Sequence, residues 1–141
     1  MNNLDYSVIR FLFEVEKPLK IGNIKQELEI PHSTLGSCIE RLEKEGFVEY
    51  EPYYEVELTD KGKEFAKELL RHRHLIEILL YNELGLDKGS AHEESQKFNL
   101  LLSCETINKI CERYGHPTRC PCGSDILDSK NCYCHKRSKK Y

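Results

Sequence analysis

Long apolar segments are missing from this 141-residue chain, and so are the motifs of secretion and catalysis. No run approaches eighteen consecutive apolar residues, which a transmembrane helix needs. The start, Met1-Asn2-Asn3-Leu4-Asp5, has neither the positive charge nor the apolar stretch of a secretory signal. There is no phosphate-binding loop, and no acid, base and nucleophile converge. These absences predict a cytoplasmic protein that is not an enzyme and has no membrane partner.

Positive charge is scarce in the first part of the chain. Residues 1–60 contain 6 Lys and Arg against 13 Asp and Glu, a formal charge of −7, whereas residues 61–141 contain 15 against 11, a charge of +4. A DNA-binding module is expected to have a basic face, because phosphate neutralisation supplies most of the non-specific affinity. The first sixty residues therefore do not have the charge of a typical DNA-binding domain.

The apolar pattern of residues 1–60 nevertheless predicts a winged helix-turn-helix. Helical spacing indicates helices over residues 4–16, 21–29 and 33–45, the last preceded by a proline and a hydroxyl cap within Pro31-His32-Ser33-Thr34. Residues 47–51 and 55–59 alternate apolar and charged side chains around Pro52-Tyr53-Tyr54, which is typical of a β-hairpin with one buried face. We predict a DNA-binding domain over 1–60, with three helices and a hairpin.

The remainder of the chain is predicted to be helical and then rich in cysteine, which makes the fold class mainly α. A long helix over 61–84, capped by Asp60, is followed by helices over 91–102 and 104–114, the last capped by Ser103. Residues 61–117 are predicted to form a dimerisation domain that packs against a copy of itself. Residues 118–141 contain few apolar side chains and end in a basic tail, so we expect a metal or a partner to fold them.

The third helix is the expected DNA-reading element. In helix-turn-helix proteins the N-terminal residues of the second helix of the motif contact base edges in the major groove. Those residues are Pro31, His32, Ser33, Thr34, Gly36 and Ser37 here, and Lys25 and Arg41 are the expected phosphate contacts. The wing tip has no Lys or Arg. An alternative interpretation is a winged-helix adaptor that binds proteins and contains a structural zinc site, without sequence-specific DNA binding.

Four thiols are crowded near the end of the chain. Cys120, Cys122, Cys132 and Cys134 supply the ligand set of a tetrahedral zinc site, and His135 and His116 are further candidate ligands. The same thiols suit an iron-sulfur cluster or Fe(II), and disulfides or free thiols are the remaining possibilities. The other cysteines, Cys38, Cys104 and Cys111, are interpreted as packing residues.

Several local motifs resemble those of the diphtheria toxin repressor family of metal-dependent regulators. They are Arg41-Leu42-Glu43-Lys44-Glu45-Gly46, Leu58-Thr59-Asp60-Lys61-Gly62, Arg73-His74-Leu75-Ile76-Glu77, Glu83-Leu84-Gly85-Leu86-Asp87, Ala91-His92-Glu93-Glu94 and Gly115-His116-Pro117-Thr118-Arg119-Cys120-Pro121. The resemblance covers residues 4–126. It implies a homodimeric repressor that binds a palindromic operator in double-stranded DNA, with Fe(II) or Mn(II) controlling the DNA-binding geometry.

The resemblance also implies where the metal ligands should stand. The principal-site positions are occupied by Ser7, Gln96, Asn99 and Leu100, which lack the thiolate, carboxylate and imidazole groups that bind transition metals. Of the ancillary site, Glu77 and His92 match, but Arg73 stands where a histidine is expected. The alternative to a metal at the ancillary site is a salt bridge between Arg73 and Glu77, which are four residues apart on a helix. We therefore expect metal or redox control to have moved to the C-terminal cysteines.

Overall fold

The computed structural model describes residues 1–51, 55–99 and 102–134. The chain divides into two compact units, Met1–Ala66 and a second unit that begins at Lys67. This division lies inside a helix that begins at Asp60, close to the boundary expected at residue 60. The predicted cysteine-rich segment falls in the second unit together with the helices before it.

The first unit is a winged helix-turn-helix. Its elements are α1 (Asn3–Val15), β1 (Leu19–Lys20), α2 (Ile21–Leu28), α3 (His32–Lys44), β2 (Val48–Tyr50) and β3 (Glu55–Leu58), followed by the first turns of α4 (Asp60–Leu84). The strands form an antiparallel sheet in the order β1-β3-β2. The three helices and the hairpin were predicted. The strand β1 was not, because it has two residues and pairs with a partner more than thirty residues away.

One apolar core organises this unit. Its buried members come from every element and include Val8, Ile9, Leu12, Ile24, Leu35, Cys38, Ile39, Leu42, Val48 and Val56. The apolar face of α3 is thus fully used by the core, and Cys38 is a packing residue as expected. The hydroxyl cap predicted for α3 is wrong, since Pro31 is the N-cap and no side chain caps the helix.

An ion pair joins α1 to α3. Asp5 is fully buried, and its carboxylate accepts hydrogen bonds from Arg41 Nη2 at 2.8 Å and Nε at 3.2 Å. Asp5 also completes a capping box with Asn2 at the start of α1. Burial opposes ionisation of Asp5, but hydrogen bonds from Arg41, Cys38 and Asn2 outweigh it and hold the pKa of this carboxyl below its usual value.

We predict that Asp5→Asn lowers the melting temperature at neutral pH by several degrees, because it removes the anion beside Arg41. Since the pKa of Asp5 is lowered in the folded state, its stabilisation is present above about pH 4 and is lost as pH falls through the folded pKa. The difference in melting temperature between wild type and variant should therefore be constant above pH 5 and shrink below pH 4. The control is Glu14→Gln on the same helix, which removes a carboxylate that is 56% exposed and lies 3.8 Å from Arg10 Nε. A difference that grows in acid would contradict the prediction.

The second unit contains the remaining turns of α4, then α5 (Lys88–Ser95) and α6 (Cys104–Arg113). The cap of α4 is Thr59, whose Oγ1 accepts from the Gly62 amide at 3.0 Å, so the prediction of Asp60 as the cap is wrong. The helix α5 is capped by Asp87 and ends at Ser95, earlier than predicted, and the chain continues in turns. Ser103 caps α6 as predicted.

The segment after α6 packs on the helices through a few side chains. Ile126, Cys132 and Cys134 join the second core, which α4 and α6 supply with Leu75, Ile76, Ile78, Ile107, Ile110 and Cys111. Most of the segment's backbone hydrogen bonds close turns within it, such as Gly123 N to Cys120 O at 2.9 Å. Little apolar burial therefore holds residues 118–134 in place. Within the described ranges, none of the helices has the length and apolar character that crossing a bilayer requires.

Candidate metal centres and nucleic-acid interface

The outer face of α3 is polar and open to solvent. Pro31, His32, Ser33, Thr34 and Ser37 are exposed, Gly36 is half-buried, and Leu35, Cys38, Ile39 and Leu42 face the core. Ser37 Oγ donates to Ser33 O at 3.1 Å, so its lone pairs remain available as acceptors. Lys25 is exposed on α2. The structure thus places most of the predicted DNA-contacting residues on one accessible face.

Arg41 and the wing differ from a typical phosphate-binding arrangement. Two of the Arg41 nitrogens are engaged with Asp5, although the side chain is still 43% exposed. The strands of the wing carry exposed Glu49, Glu55 and Glu57. The predicted wing tip, residues 52–54, lies outside the described residues. The described part of the wing is therefore acidic.

A first cluster of metal-binding side chains, here called site A, joins α4, α6 and the C-terminal segment. It consists of His72, Cys104 and Cys132, whose ligand atoms all lie within 4.8 Å of one another. His72 Nε2 is 3.6 Å from Cys104 Sγ and 3.3 Å from Cys132 Sγ. Burial, followed by the charge of Arg71, lowers the pKa of His72 to about 4, so the imidazole is neutral at physiological pH. A neutral imidazole is the form that binds a metal.

Polar groups surround site A. The Cys104 thiol donates to Glu68 Oε1 at 3.4 Å, and burial together with neighbouring Cys132 and Glu68 raises the pKa of this thiol to about 12. On the other side, Arg71 is completely buried and donates from Nη1 to Cys132 Sγ at 2.7 Å. Arg71 also donates to Asn108 Oδ1 at 2.7 Å, and its Nε lies 3.2 Å from an Asp128 carboxylate oxygen. The Cys132 sulfur of site A is thus held by a buried guanidinium that is itself fixed by two further polar partners.

A second cluster, site B, lies at the other end of α6. It consists of Cys111, His116 and Cys134, again with all ligand atoms within 4.8 Å. His116 Nδ1 is 2.9 Å from Cys134 Sγ and 3.6 Å from Cys111 Sγ. The backbone of His116 has φ of 56°, in the left-handed region, and its amide donates to Cys111 O at 2.8 Å. This conformation, unusual outside glycine, folds His116 back over the last turn of α6.

A third group contains Glu77, His92 and Cys122. Glu77 is buried and accepts at Oε2 from the Cys122 amide at 3.2 Å, and its Oε1 is 3.2 Å from His92 Nδ1. Glu77 and His92 are the two residues that match the ancillary site, and the structure brings their side chains together. His92 and Cys122 are exposed. This group is therefore open to solvent, unlike sites A and B.

The four C-terminal thiols do not converge. Cys132 lies in site A, Cys134 in site B and Cys122 in the third group, while Cys120 is buried beside Glu77 of the third group and outside sites A and B. Of the two candidate histidines, His116 lies beside Cys134, and His135 lies outside the described residues. Sequence reasoning missed His72, Cys104 and Cys111. Cys104 and Cys111 were interpreted as packing residues, which the second core confirms, and their seven-residue spacing on one helix was the signal for a further role.

The positions that the resemblance assigns to the principal metal site are occupied differently. Arg73 is almost fully buried and donates to Gln96 Oε1 at 3.0 Å, to Asn99 Oδ1 at 2.7 Å and to Phe98 O at 2.8 Å. The side-chain oxygens of Gln96 and Asn99, at two of those positions, thus accept from a guanidinium, which is cationic throughout the physiological pH range. Ser7 donates instead to the backbone of its own helix, at Asn3 O, and Leu100 lies outside the described residues. These residues do not fit a transition metal, and the alternative Arg73–Glu77 salt bridge is replaced by these contacts.

Comparison with known proteins finds relatives that are described as repressors or transcriptional regulators. A family model described as the iron dependent repressor, metal binding and dimerisation domain matches residues 59–128. An uncharacterised HTH-type transcriptional regulator of Methanocaldococcus jannaschii is 36% identical over 100 residues, which are 71% of this chain and 80% of that protein. The diphtheria toxin repressor of Corynebacterium efficiens is 30% identical over 122 residues, 84% of this chain and 53% of the repressor. The chain thus covers about half the length of that repressor.

A solved structure is similar over almost the whole chain. The crystal structure of a hypothetical protein from Sulfolobus solfataricus superimposes with a TM-score of 0.72 at 31% sequence identity. The match covers 87% of this chain and 95% of that one. The two chains therefore share their fold.

Proposed function

The chain belongs to the iron-dependent repressor family, and on that basis we propose that it is a DNA-binding transcriptional regulator that acts as a homodimer under the control of a metal ion. The observation that carries the proposal is the exposed polar face of α3 on a winged helix whose apolar face is buried. Pro31 is the N-cap residue of α3, and no side chain accepts from the first amides of the helix. Those amides are therefore available to a phosphate oxygen. The membership favours a regulator over the adaptor alternative.

The base contacts are proposed to come from His32, Ser33, Thr34 and Ser37, with Pro31 and Gly36 permitting close approach. Hydroxyl groups can donate to or accept from base edges, and the Thr34 methyl can contact a thymine methyl. Lys25 supplies a phosphate contact, and Arg41 adds one through the exposed side of its guanidinium. Because the wing strands are acidic, we propose that affinity depends on two half-sites of a palindromic operator more than on charge.

Homodimerisation is proposed for the second unit. The last turn of α4 exposes Tyr81 and Leu84, the latter 67% exposed, and large apolar side chains in such positions are typical of subunit interfaces. A dimer would offer one copy of α3 to each half-site of a palindromic operator. The expected complex therefore contains two chains per operator.

The metal is proposed to be divalent and bound in the second unit. Zinc is the first candidate, with Fe(II) or an iron-sulfur cluster as the alternatives, because thiol and imidazole groups predominate there. Manganese, which prefers oxygen ligands, is disfavoured. The side-chain oxygens of Gln96 and Asn99 already accept from the cationic Arg73, so the metal is not proposed to bind there.

The test is to select bound duplexes from a random DNA pool and measure affinity for the selected site by fluorescence anisotropy. We predict that Thr34→Ala combined with Ser37→Ala weakens binding to that site about 10- to 100-fold, the loss expected for one or two base contacts. Both side chains are exposed, so the melting temperature should not change. Binding to an unrelated duplex, which depends on phosphate contacts, is the internal control and should change less than about twofold. A selection that enriches no sequence at any salt concentration would support the adaptor instead.

A further inference from the structure

We propose that the second unit binds two thiophilic divalent ions of the zinc class at separate sites, one at His72, Cys104 and Cys132 and the other at Cys111, His116 and Cys134. The proposal deepens the metal control proposed above by naming the residues that bind the metal. It replaces the single four-thiolate site with two sites that each have two sulfurs and one imidazole nitrogen.

The first argument is distance. The helix α6 supplies a thiol to each site, Cys104 from its first turn and Cys111 from its last. Seven residues of α-helix separate these positions by about 10 Å along the axis. Zinc bonds to sulfur are about 2.3 Å long, so one ion cannot reach both thiols. The two clusters must therefore bind separate ions.

The second argument is donor chemistry. Each site combines thiols with an imidazole, the set preferred by Zn(II) and avoided by Mg(II), Ca(II) and Mn(II). The thiols of Cys104, Cys111, Cys132 and Cys134 lie in or against the second core, where a bound ion would displace little water. On binding, each pair of thiols gives up its two protons to solvent, and the two thiolates neutralise the charge of the ion.

Neighbouring charges support site A in particular. Arg71 donates to the Cys132 sulfur, which is an outer-shell contact of the kind that orients metal ligands. Glu68 Oε1 lies 3.4 Å from the Cys104 sulfur and adds a negative charge beside site A. Without a cation, two thiolates beside Glu68 would repel each other. With one, the set is close to neutral.

The third argument is structural. Both sites contain a thiol from the last described residues of the chain, Cys132 and Cys134, and residues from α4, α6 or the turn after α6. The segment 118–134 buries few apolar side chains of its own. Two ions would therefore tie this segment to the helices at two points. Metal release would then loosen the unit, which gives the family's metal control a location away from the principal-site positions.

The test is the amount of zinc that the full-length chain retains against a mild chelator, measured by elemental analysis. We expect two ions per chain. Cys132→Ser and Cys104→Ser should each retain one, as should Cys134→Ser and Cys111→Ser, and Cys132→Ser combined with Cys134→Ser should retain none. The control is Cys120→Ser, a buried thiol outside both sites, which should retain two. Equal loss of a single ion in Cys120→Ser, Cys132→Ser and Cys134→Ser would restore the four-thiolate site and overturn the proposal.

X-ray absorption of the zinc-loaded wild type tests the proposal without any variant that might fail to fold. We expect an average of two sulfur ligands per zinc at about 2.3 Å and one or more nitrogen or oxygen ligands at about 2.0 to 2.2 Å. Four sulfurs per zinc would contradict it. So would iron with inorganic sulfide, or disulfides between Cys104 and Cys132 and between Cys111 and Cys134 in protein purified under reducing conditions. These readouts involve no DNA, so their failure is distinguishable from a failure to bind an operator.

Discussion

Replacing Arg71 by methionine is expected to lower the free energy of unfolding of the second unit by about 2 to 4 kcal/mol, because a buried guanidinium and its hydrogen bonds are lost. Arg71 has no exposed surface, and three groups depend on its guanidinium: Asp128, Asn108 and Cys132. Methionine fills much of the same volume and removes every donor. The Asn108 oxygen and the Asp128 carboxylate would then be left beside an apolar side chain.

The measurement is thermal or urea unfolding of metal-free and zinc-loaded protein. The control is Arg119→Met, which breaks the Arg119–Asp125 pair in the same unit, where both side chains are 71% exposed. Exposed pairs contribute little, so that variant should melt close to the wild type. In addition, Arg71→Met should weaken zinc binding at site A about 10- to 100-fold, as removal of outer-shell partners does, and leave site B unchanged. An Arg71→Met protein as stable as Arg119→Met would contradict the prediction.

The second large effect is expected in the first unit, at Gly62 in the first turn of α4. A Cβ built there would lie far inside contact distance of the Phe47 carbonyl oxygen and close to Leu58 Cδ2. The same carbonyl accepts from the Thr59 amide at 3.0 Å, so it cannot move without loss of that bond. We expect Gly62→Ala to destabilise the unit by about 2 to 4 kcal/mol, because overpacking outweighs the helix-propensity gain of about 1 kcal/mol.

Gly22→Ala is the matched control. Gly22 lies in α2, and a Cβ there would meet nothing within 4 Å. This variant should be stabilised by about 0.5 to 1 kcal/mol from helix propensity alone. Urea unfolding followed by circular dichroism compares the two. Parallel stabilisation of both variants would show that the close approach of α4 to Phe47 is not maintained in solution.

The elements of the first unit could be predicted because their signals are local. Leu35, Ile39 and Leu42 recur at helical spacing, and the alternation in residues 47–51 and 55–59 identifies a half-buried hairpin. What failed were features that depend on other parts of the chain. The strand β1 exists because Leu19 pairs with Val56, and Thr59 rather than Asp60 caps α4. Arg41 was predicted as a phosphate contact, and its engagement by Asp5 thirty-six residues away has no sequence signature.

The candidate metal sites show the same limit. The cysteine content and the spacing of Cys132 and Cys134 indicated metal binding, and the resemblance identified Glu77 and His92 as neighbours. Partners for the two C-terminal thiols could not be read from the sequence, since His72 and Cys104 are distant from Cys132 along the chain. His116 joins Cys111 only because its left-handed backbone turns it back over α6.

The sequence alone showed that Gln96 and Asn99 are not metal ligands and that the first sixty residues have little positive charge. It also identified the winged helix and the family. These properties depend on which residues are present and on local periodicity. Only the tertiary structure decided that Arg73 would donate to the side chains of Gln96 and Asn99, and that the four C-terminal thiols would lie in different clusters. The physical reason is that long side chains and thiols take their partners from whatever packs against them, and packing brings together α4, α6 and a segment up to sixty residues away.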